Sequence, residues 1–245
     1  MSEPILICRD LIKTYLGAAG SAVTGVSLSM QPGEFVCFVG PSGCGKSTVL
    51  RMIGGLETPT SGQVRYKGQP VRGVTPGLSM VFQSAALLPW LSVRDNVAFG
   101  LRRRGLPAVE CRARADHFIQ MVGLPSAADR TPRELSGGMR QRAGIARALA
   151  MEPEILLLDE PFSALDPETT HELHEQLLRI WQTTNTTMIM ISHLIDEALE
   201  LADRIIVFEM GRVHTELPVV LSRPRDVDAQ EFMTLRHQLA GLMHR

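Results

Sequence analysis

The sequence lacks long hydrophobic runs and an excess of charge of either sign. No stretch of the 245 residues approaches the roughly 20 consecutive apolar residues of a membrane helix. The start, MSEPILICRD, has neither the basic residues nor the apolar stretch of a signal peptide. The formal net charge is −1, which gives no basic field for nucleic acid. We therefore expect a globular chain that does not itself span a membrane and does not bind nucleic acid.

The sequence also lacks paired cysteines. Its four cysteines, Cys8, Cys37, Cys44 and Cys111, lie far apart and form no C-x-x-C pair. A disulfide at Cys44 would obstruct the glycine-rich segment that contains it. This pattern favours the reducing environment of the cytosol.

The glycine-rich segment GPSGCGKST, at residues 40–48, has the G-x-x-x-x-G-K-[ST] pattern of a phosphate loop. Glycines let successive backbone N–H groups converge on a polyphosphate, Lys46 adds a positive charge, and the Ser47 hydroxyl suits Mg²⁺. An apolar run at 35–39 precedes the loop and helix-forming residues 47–54 follow it, as the motif requires. The predicted nucleotide-binding residues are Gly40, Pro41, Ser42, Gly43, Cys44, Gly45, Lys46, Ser47 and Thr48.

Tyr15 stands out because aromatic residues make up only 5% of the chain. A flat ring upstream of a phosphate loop could stack on an adenine face. A tyrosine packed in the core with one polar partner fits the spacing equally well. The residues alone leave both alternatives open.

The pattern of apolar segments predicts an α/β fold. Alternating residues before position 31 indicate antiparallel strands, and residues 84–150 have the character of helices. Elsewhere, uniformly apolar segments alternate with helices, which is typical of a parallel sheet covered on both faces. These apolar segments lie at 35–39, 79–82, 155–158, 187–191 and 204–208.

A polar group suited to phosphate chemistry follows each of four predicted strands. The phosphate loop follows the first, and Gln83, the pair Asp159 and Glu160, and His193 follow the others. Ligands of open parallel sheets bind beyond the carboxyl ends of the strands. Each residue alone is more often structural, but their joint occurrence predicts a site. Asp159 suits the Mg²⁺ shell with Ser47, and Gln83 could complete that shell or position water. Glu160 suits polarisation of an attacking water.

A second anion cradle is predicted at the start of another helix. Ser136 is a good N-cap, and Gly137 and Gly138 expose backbone donors. One ATP does not need two cradles on one chain. The second cradle is therefore expected to face the nucleotide of a second copy in a head-to-tail dimer.

Together these motifs resemble the ATP-binding subunit of an ABC transporter over nearly the whole chain. The resemblance rests on GPSGCGKST, Gln83, LSGGM at 135–139, ILLLDE at 155–160, SALD at 163–166 and His193. It implies one nucleotide-binding domain of the P-loop NTPase fold. Residues 1–83 and 151–245 would form the RecA-like core with an antiparallel β subdomain, and residues 84–150 an inserted helical subdomain.

The resemblance also implies roles for individual residues. ATP would be sandwiched between two copies, with Ser136, Gly137 and Gly138 of one completing the γ-phosphate site of the other. Asp166 would lie in the dimer seam. Glu160 would be the catalytic base and His193 a γ-phosphate sensor, while Tyr15 would stack on adenine.

The segment ALLPWLSV resembles the importer branch that serves nitrate, sulfonate and taurine. Its residues Leu87, Leu88, Pro89 and Trp90 form an apolar cluster, which suits docking of a membrane permease, although these residues could instead fill the helical subdomain's own core. The resemblance then implies a peripheral ATPase at the cytoplasmic face of the membrane. An extracytoplasmic solute-binding protein would be an indirect partner.

Several features bear on the alternatives. A soluble ABC-type ATPase of DNA repair or translation usually carries a long coiled-coil insertion or two cassettes, and this chain has neither. A small-molecule kinase or GTPase built on the same loop is another alternative, but the guanine-binding motif N-K-x-D of GTPases does not occur. An ABC exporter remains a further alternative. His171 and Glu175 have metal-ligand spacing, but a solvated helix face explains them better.

Overall fold

A computed structural model describes residues 3–17, 20–163 and 165–243. The chain divides into two compact units, Met1–Thr75 with Thr187–Arg245, and Pro76–Thr186. The strands, in chain order, are β1 (Leu6–Thr14), β2 (Ser21–Met30), β3 (Phe35–Val39), β4 (Ser61–Tyr66), β5 (Gln69–Pro70), β6 (Leu78–Val81), β7 (Ile155–Asp159), β8 (Thr187–Ile191), β9 (Arg204–Glu209) and β10 (Arg212–Pro218).

The helices, in chain order, are α1 (Lys46–Ile53), α2 (Val93–Arg103), α3 (Ala108–Met121), α4 (Gly137–Leu149), α5 (Pro167–Thr184), α6 (Ile195–Leu201) and α7 (Gln230–Met243). Single 3₁₀ turns lie at Pro125–Ala127 and Pro132–Glu134. Among the residues that the structure describes, no helix is both long enough and apolar enough to cross a membrane.

The first unit contains an antiparallel sheet of strand order β2-β1-β4-β5. In β2 the residues Val26, Leu28 and Met30 are buried, and exposed residues alternate with them. This period of two buries one face of the strand against the core and leaves the other in solvent. The antiparallel strands predicted before position 31 are therefore present.

The first unit also contains strands in the order β10-β9-β3-β8, which are parallel except for β10, an antiparallel neighbour of β9. Strand β3 pairs in parallel with β8 and β9, and all residues of β3 and β8 are buried. Helix α6 packs against β3, and α1 contacts β8. Uniformly apolar strands need such cover, which explains why the sequence predicts them well.

The second unit combines two parallel strands with helices. Strands β6 and β7 pair through Leu78↔Ile155 to Val81↔Leu158. Helices α2, α3 and α4 pack on one another, and α4 also packs on β6. The sequence predicts helices from position 84 onward, but residues 84–92 are not helical. The first helix of this unit begins after the N-cap Ser92. The subdomain boundaries at 84 and 150 stay a prediction.

The four cysteines are free and buried. Helix α7 packs on α6 within the first unit and buries Phe232 and Leu239. The α/β fold with parallel sheet, antiparallel sheet and helices is confirmed.

Candidate functional site

The phosphate loop joins β3 to α1, in the predicted strand–loop–helix order. Gly40 has φ +140° and Gly45 has φ +100°, which L side chains rarely adopt. A Cβ at Gly40 would lie 2.3 Å from the Phe208 carbonyl oxygen, and one at Gly45 would lie 2.6 Å from that of Ala22. Strands β9 and β2 therefore leave no room for side chains at these two positions.

The Lys46 side chain is folded into the loop. Its Nζ donates hydrogen bonds to the carbonyl oxygens of Gly40 at 2.7 Å and Pro41 at 2.9 Å, and lies 3.5 Å from Cys44 Sγ. Only 4% of Lys46 is exposed, so the ammonium is a fixed charge within the loop. The three residues after Gly40, which are Pro41, Ser42 and Gly43, are exposed, so a ligand can reach them.

Helix α1 begins at the phosphate loop. Ser47 and Thr48 lie in its first turn and are half-buried. The N-terminus of the helix adds backbone N–H groups and the positive end of the helix dipole. On the side of the β9–β10 turn, the Gly211 N–H donates to the Cys44 carbonyl oxygen at 3.1 Å. This hydrogen bond anchors the phosphate loop to the β9–β10 turn, and no sequence pattern around Gly211 predicts it.

His193 follows β8, the strand beside β3. The two strands are parallel with Phe38 opposite Ile191, and the Ser192 N–H donates to the Phe38 carbonyl oxygen at 3.1 Å. The carboxyl ends of β3 and β8 therefore lie side by side. The phosphate loop follows the first of these strand ends, and His193 follows the second. The His193 side chain is exposed at that edge.

Tyr15 lies just after β1 and is 40% exposed. Its hydroxyl donates to Glu57 Oε2 at 2.6 Å and lies 3.4 Å from Thr48 Oγ1. Because Tyr15 is this exposed, it is not a tyrosine packed in the core. Stacking on adenine stays a prediction.

In the second unit, Gln83 follows β6, Asp159 is the last residue of the adjacent parallel strand β7, and Glu160 follows β7. Gln83 Nε2 lies 3.3 Å from Glu160 Oε2 and donates to Ser163 Oγ at 3.0 Å. Asp159 is buried, and Glu160 is half-buried. The structure thus brings three predicted residues together at one end of the strand pair, and adds Ser163.

Glu160 has a left-handed backbone, with φ 49°. A non-glycine residue in this region costs of order 1–3 kcal/mol and persists only where its surroundings hold it. Here the Ser163 hydroxyl donates to the Glu160 carbonyl oxygen at 3.1 Å. This backbone conformation sets the direction of the Cα–Cβ bond of Glu160, and the Gln83 amide contacts the carboxylate at its end.

The second anion cradle opens α4. Ser136 Oγ accepts a hydrogen bond from the Met139 N–H at 3.3 Å, which makes it the predicted N-cap. Ser136 and Gly137 are exposed. Gly138 is buried, and a Cβ there would lie 2.5 Å from Thr169 Cγ2 of α5. The glycine is needed because the starts of two helices approach closely.

Asp166 is the N-cap of α5. Its Oδ1 accepts from the Thr169 N–H at 3.0 Å and its Oδ2 from the Thr169 hydroxyl at 2.8 Å. These hydrogen bonds hold the pKa of Asp166 below its ordinary value. Because Thr169 also contacts Gly138, the exposed carboxylate of Asp166 and the Ser136 cradle belong to one surface of the second unit.

The predicted docking segment, Leu87 to Trp90, is held by two residues that sequence reasoning missed. Asn96 is fully buried; its Oδ1 accepts from the Leu88 N–H at 2.8 Å, and its Nδ2 donates to the Leu88 carbonyl oxygen at 3.1 Å. Arg147 donates to the carbonyl oxygens of Ala85 and Ala86, which both have positive φ. Leu87 and Leu88 are half-buried, whereas Pro89 is exposed and Trp90 is 73% exposed.

Among the residues that the structure describes, no group of three or more His, Cys, Asp or Glu side chains could hold a metal ion. His171 and Glu175 are exposed, and their His171 Nε2 and Glu175 Oε1 atoms are 3.8 Å apart. Of the predicted Mg²⁺ ligands, Ser47 lies in the first unit, and Gln83 and Asp159 lie in the second. Each offers an oxygen donor of the kind that Mg²⁺ takes, beside water and phosphate.

Comparison with known proteins agrees with the geometry of the site. The family model described as ABC transporter matches residues 23–163. The nitrate import ATP-binding protein NrtD of Synechococcus elongatus is 45% identical, over 91% of this chain and 85% of its own length. The taurine import ATP-binding protein TauB of Chromobacterium violaceum is 46% identical, over 92% of this chain and 90% of its own.

A solved dimeric ATP-binding cassette in a post-hydrolysis state, bound to ADP and Pi, superposes with a TM-score of 0.80. It is 32% identical and covers 89% of this chain and 100% of its own. The family match spans more than half of the sequence, and the relatives span most of it. This chain therefore belongs to the ABC transporter family, as one of its ATP-binding domains.

Proposed function

We propose that this chain is the ATPase subunit of an importer for a small anionic solute, such as nitrate or a sulfonate. The observation that carries ATP binding is the phosphate loop, whose glycine conformations and buried Lys46 charge form a polyphosphate cradle. The nitrate and taurine import functions named for the relatives, and the segment ALLPWLSV, support the solute class.

In this proposal the first unit binds the triphosphate. The loop N–H groups and the Lys46 ammonium contact the β and γ phosphates, and His193 contacts the γ phosphate from the neighbouring strand end. Ser47, Gln83 and Asp159 supply the hydroxyl, amide and carboxylate oxygens for Mg²⁺. The chemistry that Mg²⁺ supplies when bound is neutralisation of charge on the β and γ phosphates.

Glu160 is the general base of the proposed reaction. Its carboxylate accepts a proton from the water that attacks the γ phosphorus, and the bond between that phosphorus and the β–γ bridging oxygen breaks. The products are ADP and inorganic phosphate. Gln83, hydrogen-bonded to Glu160, orients the carboxylate and the water.

Two copies complete the proposed site. Ser136, Gly137 and Gly138 of one copy bind the γ phosphate held by the phosphate loop of the other, and Asp166 lies in the seam. Exposure of Ser136, Gly137 and Asp166 supports this arrangement, because a cradle that serves a second molecule must face outward. The dimeric state of the solved cassette supports it as well.

The proposed permease contact is the cluster of Leu87, Leu88, Pro89 and Trp90. A tryptophan held largely in solvent by a fixed turn has the character of an interface anchor. The subunit would then be peripheral at the cytoplasmic face of the membrane, with an extracytoplasmic solute-binding protein as an indirect partner.

The experiment is coexpression of this chain with its permease and solute-binding protein, followed by reconstitution into vesicles. ATP-dependent uptake of nitrate or taurine, lost in Glu160→Gln, is the expected result. ATP-driven efflux would indicate an exporter. Full ATPase activity without any permease in the purified complex would indicate a soluble ABC-type ATPase and overturn the transport proposal.

A further inference from the structure

Tyr15 is fixed at its hydroxyl by a residue far away in the sequence. The hydroxyl donates to Glu57 Oε2 at 2.6 Å, a distance typical of a hydrogen bond to a carboxylate. The pKa of Tyr15 is raised, first by burial and then by this bond, so the hydroxyl keeps its proton and stays a donor at neutral pH.

One face of the Tyr15 ring is covered by a cation. Lys13 Nζ lies 5.2 Å from the ring centroid, within the range of a cation–π contact. The same ammonium is 3.7 Å from Glu57 Oε2 and donates to the Thr58 carbonyl oxygen at 2.8 Å. Because Lys13 is fixed over one face, a base that stacks on Tyr15 must use the opposite face.

Glu57 is itself attached to the end of the phosphate-loop helix. Glu57 lies shortly after α1, and its N–H donates to the carbonyl oxygen of Arg51, in the last turn of that helix, at 3.3 Å. Its Oε1 lies 3.9 Å from Arg51 Nη1. The Glu57 side chain is only 19% exposed. The phosphates would bind at the N-terminus of α1, so Glu57 sets the position of Tyr15 relative to the element that holds them.

We propose that Glu57 is a positioning residue for the adenine base: it fixes the Tyr15 ring, with Lys13 on one face, at the place where the base of a phosphate-bound ATP stacks. This inference rests on the proposed function, since it takes ATP as the ligand of the phosphate loop. Glu57 does not touch the nucleotide and acts only through Tyr15.

The test compares a ligand with a base and a ligand without one. Binding of ATP and of inorganic tripolyphosphate to the full chain is measured by calorimetry for wild type, Tyr15→Ala, Glu57→Ala and the double variant. Base stacking on an aromatic ring predicts a loss of roughly tenfold in ATP affinity for Tyr15→Ala. Glu57→Ala is expected to lose a similar factor for ATP and less than about twofold for tripolyphosphate.

The double variant separates positioning from a general structural role. If Glu57 acts through Tyr15, the double variant binds ATP no more weakly than Tyr15→Ala. Glu57→Gln retains an acceptor and is expected to restore much of the affinity. Glu216→Ala is the control, because it removes a carboxylate from another ion pair of the same unit, with Arg204.

The outcomes are distinguishable. Equal weakening of ATP and tripolyphosphate by Glu57→Ala would indicate a structural role and overturn the proposal, as would additive losses in the double variant. Wild-type ATP affinity in Glu57→Ala, with weakened binding in Tyr15→Ala, would overturn it too. If wild type bound neither ligand, the proposed ATP-binding function would fail instead.

Discussion

Gln83 Nε2 lies 3.3 Å from Glu160 Oε2, although the two residues are 77 positions apart. The parallel pairing of β6 and β7 brings them together, because each follows the carboxyl end of one strand. The left-handed backbone of Glu160 then turns its side chain at a fixed angle from the strand end. With the Gln83 amide donating to it, the Glu160 carboxylate still has lone pairs that can accept a hydrogen bond from a water.

Replacement of Glu160 by glutamine is expected to stop turnover while ATP binding persists. Loss of a general base costs roughly 10²- to 10⁴-fold in rate, and the amide is nearly the same size. Phosphate release measures turnover, and light scattering with ATP and Mg²⁺ measures dimer formation. The unhydrolysed nucleotide should hold two copies together.

Glu154→Gln is the matched control, because Glu154 is exposed at the other end of the same strand, β7. It should leave turnover unchanged. Gln83→Ala removes both the Nε2 donor to Glu160 and the amide oxygen proposed for Mg²⁺. It should slow turnover by at least about tenfold, the kinetic equivalent of one hydrogen bond of ~1.4 kcal/mol. Wild-type turnover in Glu160→Gln would refute its assignment as the base.

Replacement of Lys46 by alanine is expected to weaken ATP binding by roughly 10- to 100-fold, the value of one hydrogen bond to a charged group. The ammonium already lies inside the loop, bound to the Gly40 and Pro41 carbonyl oxygens, so it needs little reorganisation to meet a phosphate. Calorimetry with ATP measures the loss. Lys67→Ala removes an exposed lysine of the same unit and should bind normally. Unchanged binding in Lys46→Ala would contradict the phosphate cradle.

The sequence predicted those parts of the fold in which residue type alone decides the structure. Strands β3 and β8 are apolar at nearly every position, which only a covered parallel strand explains. Strand β10, RVHTELP, is largely exposed, with Leu217 its only buried residue, and was not predicted. It exists because it pairs with β9 in antiparallel orientation, which is a tertiary contact.

The candidate site likewise has one part that the sequence predicts and another that depends on tertiary contacts. The spacing of GPSGCGKST fixes the phosphate loop, since its chemistry is carried by the backbone and one lysine. The bond from Tyr15 to Glu57 crosses 42 positions and leaves no local pattern. Asn96 lies where a helix period predicts an apolar residue, and its hydrogen bonds to the preceding segment, including Leu88, explain it. Side-chain partners of this kind follow from the fold and not from the local sequence.

Replacement of Gly40 by alanine is expected to destabilise the protein more than the same change at Gly43. Both glycines have positive φ, but only at Gly40 would the new Cβ meet a backbone atom, the Phe208 carbonyl oxygen at 2.3 Å. Gly40→Ala should lower the free energy of unfolding by at least about 2 kcal/mol, and Gly43→Ala by about 1 kcal/mol. Urea denaturation measures both. Equal losses would show that β9 does not restrict the loop.

The Asp166 carboxylate is expected to make stability depend on pH in the acid range. Its pKa is lowered in the folded state by the Thr169 N–H and hydroxyl, so the contribution is present above the ordinary pKa, about 3.9, and is lost as the pH falls through the lowered value. Asp166→Asn keeps an N-cap acceptor but removes the charge.

Asp166→Asn should therefore be less stable than wild type at neutral pH, and the difference should shrink as the pH falls below the ordinary pKa of aspartate. Urea denaturation at a series of pH values measures the difference, and a carboxyl NMR titration measures the pKa directly. Thr169→Val removes the hydroxyl donor and should raise the Asp166 pKa toward its ordinary value. A difference that stays constant with pH would mean that the charge of Asp166 does not stabilise the start of α5.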